Sequence, residues 1–280
     1  MAGKNPERRI VAAFLAAILF LAPASALLSG QEDKPAPNPY LLNGDYLRKF
    51  SLDARDTLTT PLSWGGNDFL RCGIFLGATA ALYAGDRSIT DKIREQETPS
   101  TGDAIVAKLG NGFFLFGYSA ALYFVGDIFD SPSIRKTALV GFEAFVVSSA
   151  VVLALKGIIG RARPAAHEGT QSFHPFSIAD KYASFPSGDT AGAFAVAAVI
   201  VAQSRSFLVG ALIYSLAGLV ALNRVHDGKH WPSDIFAGAV IGYFIGHKIA
   251  DLNLDNPEAK VRLSLEPSAL GPGIAVALRF

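Results

Sequence analysis

The sequence predicts an all-α protein: a helical bundle of about six core helices, followed by a short C-terminal β-hairpin-like tail. Three observations carry this expectation. Half of the 280 residues are hydrophobic and only 18% are charged. The apolar residues gather in runs at about 72–85, 112–126, 137–155, 190–203, 207–222 and 234–249, rich in Ala, Gly, Leu and Phe and long enough for three or more helical turns. Several of these runs are apolar nearly all round, as helices are inside a large bundle or a membrane.

The elements follow in chain order. Residues 1–26 place Lys4, Arg8 and Arg9 before an apolar run from Ile10 to Leu21, then Pro23 and Ala24-Ser25-Ala26. That is the order of a secretory signal peptide, with cleavage expected after Ala26. The apolar run falls short of the ~20 residues a membrane span needs, and a retained anchor is the alternative. Residues 27–66 divide into a leader without periodicity and a stretch from 41 onward in which Leu47, Phe50, Leu52 and Leu58 alternate with charges, the pattern of an amphipathic helix. Residues 67–250 hold the bundle, with 86–110 read as a polar link and a turn at 99–102. Residues 251–280 form a tail in which Val261 to Leu265 and Ile274 to Phe280 are separated by Pro267, Gly271, Pro272 and Gly273, a hairpin signal.

Within the bundle only 137–155 approaches spanning length without interruption, and it contains Glu143. Two architectures fit: six short membrane helices, or a compact periplasmic bundle resting on the membrane. A net charge of +1 with no dense Lys/Arg block excludes the footprint of a dedicated nucleic-acid binder. Cys72 is the one cysteine, which excludes an intrachain disulfide framework and a cysteine-based zinc site.

The connections between helices concentrate the chemistry. The run 137–155 leads into Lys156-Gly-Ile-Ile-Gly-Arg161-Ala-Arg163-Pro164, and a long loop then reaches Phe185-Pro186-Ser187-Gly188-Asp189-Thr190 at the next helix start. A short turn near Arg205 returns the chain to Asn223-Arg224-Val225-His226-Asp227-Gly228-Lys229-His230-Trp231-Pro232-Ser233-Asp234. Short connections make antiparallel neighbours, so all three clusters fall at one end of the bundle. Lys156, Arg163 and Arg224 would converge there beside Ser187, Gly188 and the free N–H groups of a helix start, a combination suited to phosphate. Any one of these residues alone would read as a solvated charge; their joint placement next to apolar helices changes the reading. His230 and Asp234 lie one helical turn apart, so the carboxylate can face the imidazole and leave its other nitrogen as nucleophile, base or metal ligand.

These residues resemble the type 2 phosphatidic acid phosphatase (PAP2) family, which shares its fold and anion site with vanadium haloperoxidases. The family pattern is Lys-x6-Arg-Pro, Pro-Ser-Gly-His and Ser-Arg-x5-His-x3-Asp; here it is carried by Lys156 to Arg163-Pro164, Pro186-Ser187-Gly188-Asp189, and Asn223-Arg224 to His230 and Asp234, across residues 137–249. The resemblance implies that His230 attacks phosphorus to form a phosphohistidine and that Asp234 orients it. It further implies that Lys156, Arg163, Arg224, Ser187 and the Gly188 amide hold the phosphate oxygens. It implies no metal or cofactor, with vanadate expected as a phosphate-mimicking inhibitor.

Two positions depart from the pattern. Asn223 replaces a serine, and either side chain can hydrogen-bond locally. Asp189 replaces the histidine that protonates the leaving group, and three readings compete for it. A bound phosphate dianion pushes a neighbouring carboxyl towards its neutral form, making Asp189 the general acid; His226 or His174 supplies the proton instead; or Asp189 is a helix N-cap and the site binds without turnover. Phe185 and Trp231 flank the motifs, where packing is the simplest role. The expected function is a phosphohydrolase for a phosphomonoester or pyrophosphate on a lipid or small phosphoester. It is expected at the membrane of a bacterial cell envelope, multi-pass or membrane-associated in the periplasm, with no nucleic-acid partner. A soluble periplasmic acid phosphatase and a lapsed phosphate-binding protein are the rivals.

Overall fold

The computed structural model describes residues 40–95, 112–253, 262–267 and 274–279, with side chains described for 40–95 and 114–253. The expected signal peptide, most of the leader and the turn at 99–102 lie outside the described residues. Seven α-helices are present among those residues: α1 (Gly44–Thr59), α2 (Gly66–Glu95), α3 (Gly112–Ile128), α4 (Pro132–Ile159), α5 (Gly188–Ser204), α6 (Phe207–His226) and α7 (Pro232–Asn253). The fold is all-α. In the tail, Arg262–Pro267 pairs antiparallel with Ile274–Arg279, Arg262 opposite Arg279.

Local chemistry sets the helix ends. α4 starts with Pro132, whose missing N–H costs nothing in a first turn, and stops at Gly160 in the left-handed region at φ 60°. α6 is capped by Ser206, whose hydroxyl accepts from the Val209 N–H. α2 is longer than its apolar run suggests. It continues past Gly85 to Glu95, so the first ten residues of the expected polar link are helical. They stay helical because Asp86 and Thr90 on that extension are buried against the bundle.

α5 is the central helix and packs on α7, α4 and α6. Its core face is small: Ala191, Ala193, Ala195, Ala197 and Ala198 are all buried. α7 meets it through Gly238, Gly242 and Gly246. A Cβ at these positions would lie 2.4, 2.1 and 2.4 Å from the carbonyl oxygens of Ser187, Ala191 and Ala195, so only glycine permits this approach. Spacing small residues by four lets two backbones touch, which is how helices pack where lipid replaces water. The contact also draws the N-terminus of α5 against the N-terminus of α7, with the Ser187 N–H donating to the Asp234 carbonyl at 3.0 Å.

α1 is a helix that buries a mixed face, with Phe50 packed on the core. Leu47, Leu52 and Leu58 are exposed, while Tyr46, Asp53 and Thr57 are buried against the bundle. The polar face turns inward because partners exist there: Tyr46 donates to the Leu139 carbonyl at 3.2 Å, and Asp53 accepts from Asn253 at 2.7 Å. Three helices, α4, α6 and α7, are long and apolar enough to cross a membrane. α5 is also apolar, but its 17 residues are shorter than a typical span and its core face is covered by neighbours.

Candidate active site

The three motif clusters meet at one end of the bundle, as antiparallel packing requires. Lys156 projects from the last turn of α4, and Arg163 follows two residues after the Arg161–Phe173 bridge begins. A Cβ on Gly188 would lie 3.8 Å from the Lys156 Cε, which places the start of α5 against the lysine stem. Arg224, in the last turn of α6, reaches the same point: its Nη1 is 3.2 Å from the Asp189 carboxylate. His230 sits between these cations, in the short connection to α7.

His230 is buried, and its Nδ1 lies 2.6 Å from the Ser184 carbonyl oxygen. A carbonyl can only accept, so Nδ1 carries the proton and Nε2 keeps its lone pair. Burial, reinforced by the charges of Lys156, Arg163 and Arg224, holds the imidazole well below the ordinary histidine range, although the Ser184 carbonyl pulls the other way. The ring is therefore neutral at physiological pH with one defined tautomer.

Asp234 does not hold His230 directly. Its nearer oxygen is 3.9 Å from Nδ1. That oxygen accepts from the Ser184 hydroxyl at 2.5 Å and from the Trp231 N–H at 2.8 Å. The other oxygen accepts from Arg161 at 2.7 Å. The carboxylate is drawn away by these stronger donors and fixes Ser184, whose carbonyl in turn fixes the histidine. The expectation of a direct Asp234–His230 contact is thus corrected to an indirect one.

Arg161, Asp86 and Ser184 were not singled out from the sequence. Arg161 is 1% exposed, and its guanidinium spans two fully buried carboxylates: Nη1 to Asp234 at 2.7 Å and Nη2 to Asp86 at 2.7 Å. Asp86 also accepts from the Ser233 N–H at 2.8 Å and the Ser233 hydroxyl at 2.6 Å. Tyr83 and Trp231 lie against the guanidinium at 4.7 and 5.5 Å. Every oxygen of the two carboxylates has a donor, which is the condition under which buried charge is tolerated. Arg161 lies within the Lys156-to-Arg163 spacing, two residues before Arg163, and Asp86 directly follows an apolar run. Neither has a periodic signal, because their pairing joins positions 75 residues apart.

The remaining residues form the walls of the cradle. Lys156 donates to the Ala183 carbonyl. Arg163 donates to the exposed Asp180 at 2.7 Å, while its buried Nε has no hydrogen-bond partner among the described residues. A buried, charged donor left open beside a lysine and a histidine suits an anion. Ser187 is the true N-cap of α5; its hydroxyl accepts from the Thr190 N–H at 3.4 Å and meets the Thr190 hydroxyl at 2.9 Å. The N-cap reading of Asp189 is thereby overturned: it lies in the first turn, not at the cap, and pairs with Arg224.

Of the two stand-in acids, His226 closes the last turn of α6, and His174 is exposed, stacks on Tyr182 at 3.8 Å and bonds Ser172 and Glu168. Hydrogen bonds from Lys181 and Ser172 hold the Glu168 carboxylate down at about 2, so this outer cluster is an anchored loop. Trp231 is a packing residue, its indole N–H donating to the Ala162 carbonyl at 2.9 Å. Asn223 accepts from Arg224 at 2.8 Å, which helps aim the guanidinium. Among the described residues, no group of three or more His, Cys, Asp or Glu side chains is placed to hold a metal ion.

Residues 138–255, which contain all three clusters, match the PAP2 superfamily. The chain is 39% identical to a "Lipid A 1-phosphatase" of Rhizobium etli over 106 residues, covering 36% of this chain and 44% of that protein. It is 30% identical to a "Lipid A 4'-phosphatase" of Bacteroides thetaiotaomicron over 114 residues, 37% of this chain and 51% of that one. The chain thus spans about half the length of these curated relatives. Aquifex aeolicus LpxE superposes with a TM-score of 0.46 at 27% identity, covering 57% of this chain and 92% of that structure.

Proposed function

We propose that this PAP2 domain hydrolyses a phosphomonoester or pyrophosphate carried by a membrane lipid, through a phosphohistidine on His230. The observation that carries the reading is the single neutral tautomer of His230, with Nε2 as its free nitrogen among three cations. In the first step the Nε2 lone pair attacks phosphorus, the bond to the lipid oxygen breaks, and that oxygen takes a proton from the Asp189 carboxyl. In the second step water attacks phosphorus and gives its proton to the Asp189 carboxylate, the P–Nε2 bond breaks with its electron pair returning to His230, and inorganic phosphate leaves. Lys156, Arg163, Arg224 and the amides at Gly188 neutralise charge on the transferring oxygens, the main requirement of phosphoryl transfer. The mechanism calls for no metal.

The arriving phosphate competes with Asp189 for Arg224, whose Nη1 lies 3.2 Å from the Asp189 carboxylate. The names of the relatives favour a lipid A phosphate, and the three apolar helices favour a membrane-held substrate in the cell envelope. The test is phosphate release by purified protein from lipid A, phosphatidic acid, polyprenyl diphosphate and a water-soluble ester, with and without vanadate. His230→Ala is expected to lower turnover by about 10⁴-fold or more. Asp189→Asn is expected to lower turnover of alkyl phosphates by about 10²–10⁴-fold, and that of aryl phosphates, whose leaving group needs no acid, far less.

A second reading rests on the Asp189–Arg224 ion pair, which in the resting protein occupies both partners. On that reading the domain binds lipid phosphate without turning it over. Vanadate binding with no phosphate release from any substrate, in wild type as in His230→Ala, selects it.

A further inference from the structure

The loop between Arg163 and Ser187 carries an apolar edge that the chemistry does not use. Phe176 is 79% exposed and Ile178 fully so, whereas Phe173 is held against Tyr83 at 6.3 Å and covers Arg161. The exposed pair is not on a free-swinging segment. The His174 N–H donates to the Gly160 carbonyl at 2.7 Å and the Phe176 N–H to the Gly157 carbonyl at 2.6 Å. A Cβ on Gly160 would lie 1.8 Å from the His174 carbonyl oxygen, so the glycine is what lets the loop close onto the helix end. Phe176 itself is held in the left-handed region, at φ 62°.

These bonds fasten the loop against the last turn of α4, whose end carbonyls have no donor within the helix. On the face of α4 that carries Gly157, Leu153 lies one turn earlier and is 71% exposed, on a helix long and apolar enough to cross a membrane. Leu153 on that face is followed by the exposed Phe176 and Ile178 on the loop bonded to it, an apolar strip that runs off the helix onto the loop that carries Asp180, the partner of Arg163. Across the loop, Glu168, Lys181 and Tyr182 form its polar, solvent-facing side.

We propose that residues 173–178 are an interfacial contact with the lipid bilayer, in which Phe176 and Ile178 enter the outer end of the acyl-chain region and set the phosphate cradle at headgroup depth. The occupant follows from continuity: the strip extends the surface that α4 presents to lipid, and aromatic and aliphatic side chains at such a boundary are the usual anchors. The proposal rests on the membrane-lipid reading above and adds how the lipid's phosphate is brought level with His230. A substrate anchored by its own chains then meets the site without leaving the bilayer, while a water-soluble ester gains nothing from the loop.

Two measurements on the full chain in phosphatidylcholine vesicles test it. In the first, Phe176→Trp is compared with Gln171→Trp on the exposed polar part of the same loop, each against the wild-type background of Trp64 and Trp231. Quenching of the Phe176→Trp signal by lipid brominated near the headgroup end of its chains, with little quenching by aqueous iodide, is expected; the reverse pattern overturns the proposal whether or not the protein is an enzyme. In the second, Phe176→Ser/Ile178→Ser is expected to raise the apparent KM for a vesicle-borne lipid phosphate by about tenfold or more, from the loss of two large apolar contacts. The kcat/KM for a soluble ester should stay within about twofold. Equal losses on both substrates, or no loss on the lipid, overturn it.

Discussion

Two buried polar clusters sit at opposite ends of the same bundle and are built differently. At the catalytic end Asp86 and Asp234 share the Arg161 guanidinium, and every carboxylate oxygen has a donor. At the far end, where α1 meets α4 and α7, Asp53 accepts from Lys49 and Asn253, but Glu143 is fully buried with neither oxygen hydrogen-bonded among the described residues. Thr57 Oγ1 and Asn253 Oδ1 in the same region also lack partners there. Burial alone therefore does not make a positioning network. A saturated cluster holds its members in one geometry, whereas a cluster with surplus acceptors holds them loosely and has a donor to gain.

The comparison breaks most sharply at Arg161. Arg161→Met strips the guanidinium from two buried carboxylates and is expected to cost about 3–5 kcal/mol of stability, read by chemical denaturation. Arg161→Lys should recover little, since a single ammonium cannot span both acids. Next in size is Ser184→Ala. It removes one donor from Asp234 but keeps the carbonyl that sets the His230 tautomer, so a loss of about 1–3 kcal/mol should come with less than about a tenfold fall in kcat/KM. If activity falls far more than that, the carboxylate and not the carbonyl orients the histidine.

At the far end the sign reverses. Glu143→Gln supplies an N–H₂ donor beside Asp53 and is expected to leave stability unchanged or raise it by about 1 kcal/mol, with activity unaffected. A destabilisation matching that of Arg161→Met would remove the distinction between the two ends. The smallest effect concerns pH. Because His230 is held below the ordinary histidine range, the folded protein binds fewer protons there than the unfolded chain does. Its contribution to stability is therefore complete above about pH 6.5 and declines as pH falls below that value, levelling off only below the folded pKa. The acid limb of kcat/KM should likewise lie below the ordinary histidine range. Thermal melts of wild type and His230→Ala between about pH 4 and pH 8 should differ in slope only on the acid side.

The helices were largely legible, because apolar runs, Pro at helix starts and Gly at helix ends are local signals. α4, α5, α6 and α7 each extend a few residues beyond the runs that announced them. α2 was read short because its last turns are amphipathic, and their burial depends on a partner elsewhere. In α1 the helix is legible but its buried face is not: of the apolar positions Phe50 packs on the core while the leucines are exposed, and Asp53 turns in to meet Asn253. The Gly238, Gly242 and Gly246 spacing is a local signal in the sequence, and it is what seats α7 on α5.

Sequence alone determined which side chains gather at the site. Motif order, short helix connections and antiparallel packing leave Lys156, Arg163, Arg224, Gly188 and His230 little choice but to converge. Only the tertiary structure decided what each of them does with its hydrogen bonds. Asp234 lies one turn from His230 in the chain, yet it turns to Arg161, Ser184 and the Trp231 N–H, and the Ser184 carbonyl takes the imidazole. The physical reason is competition: spacing sets which donors a carboxylate can reach, but the strongest reachable set, including a guanidinium brought from a different element and neutralising a second acid on α2, settles which it takes.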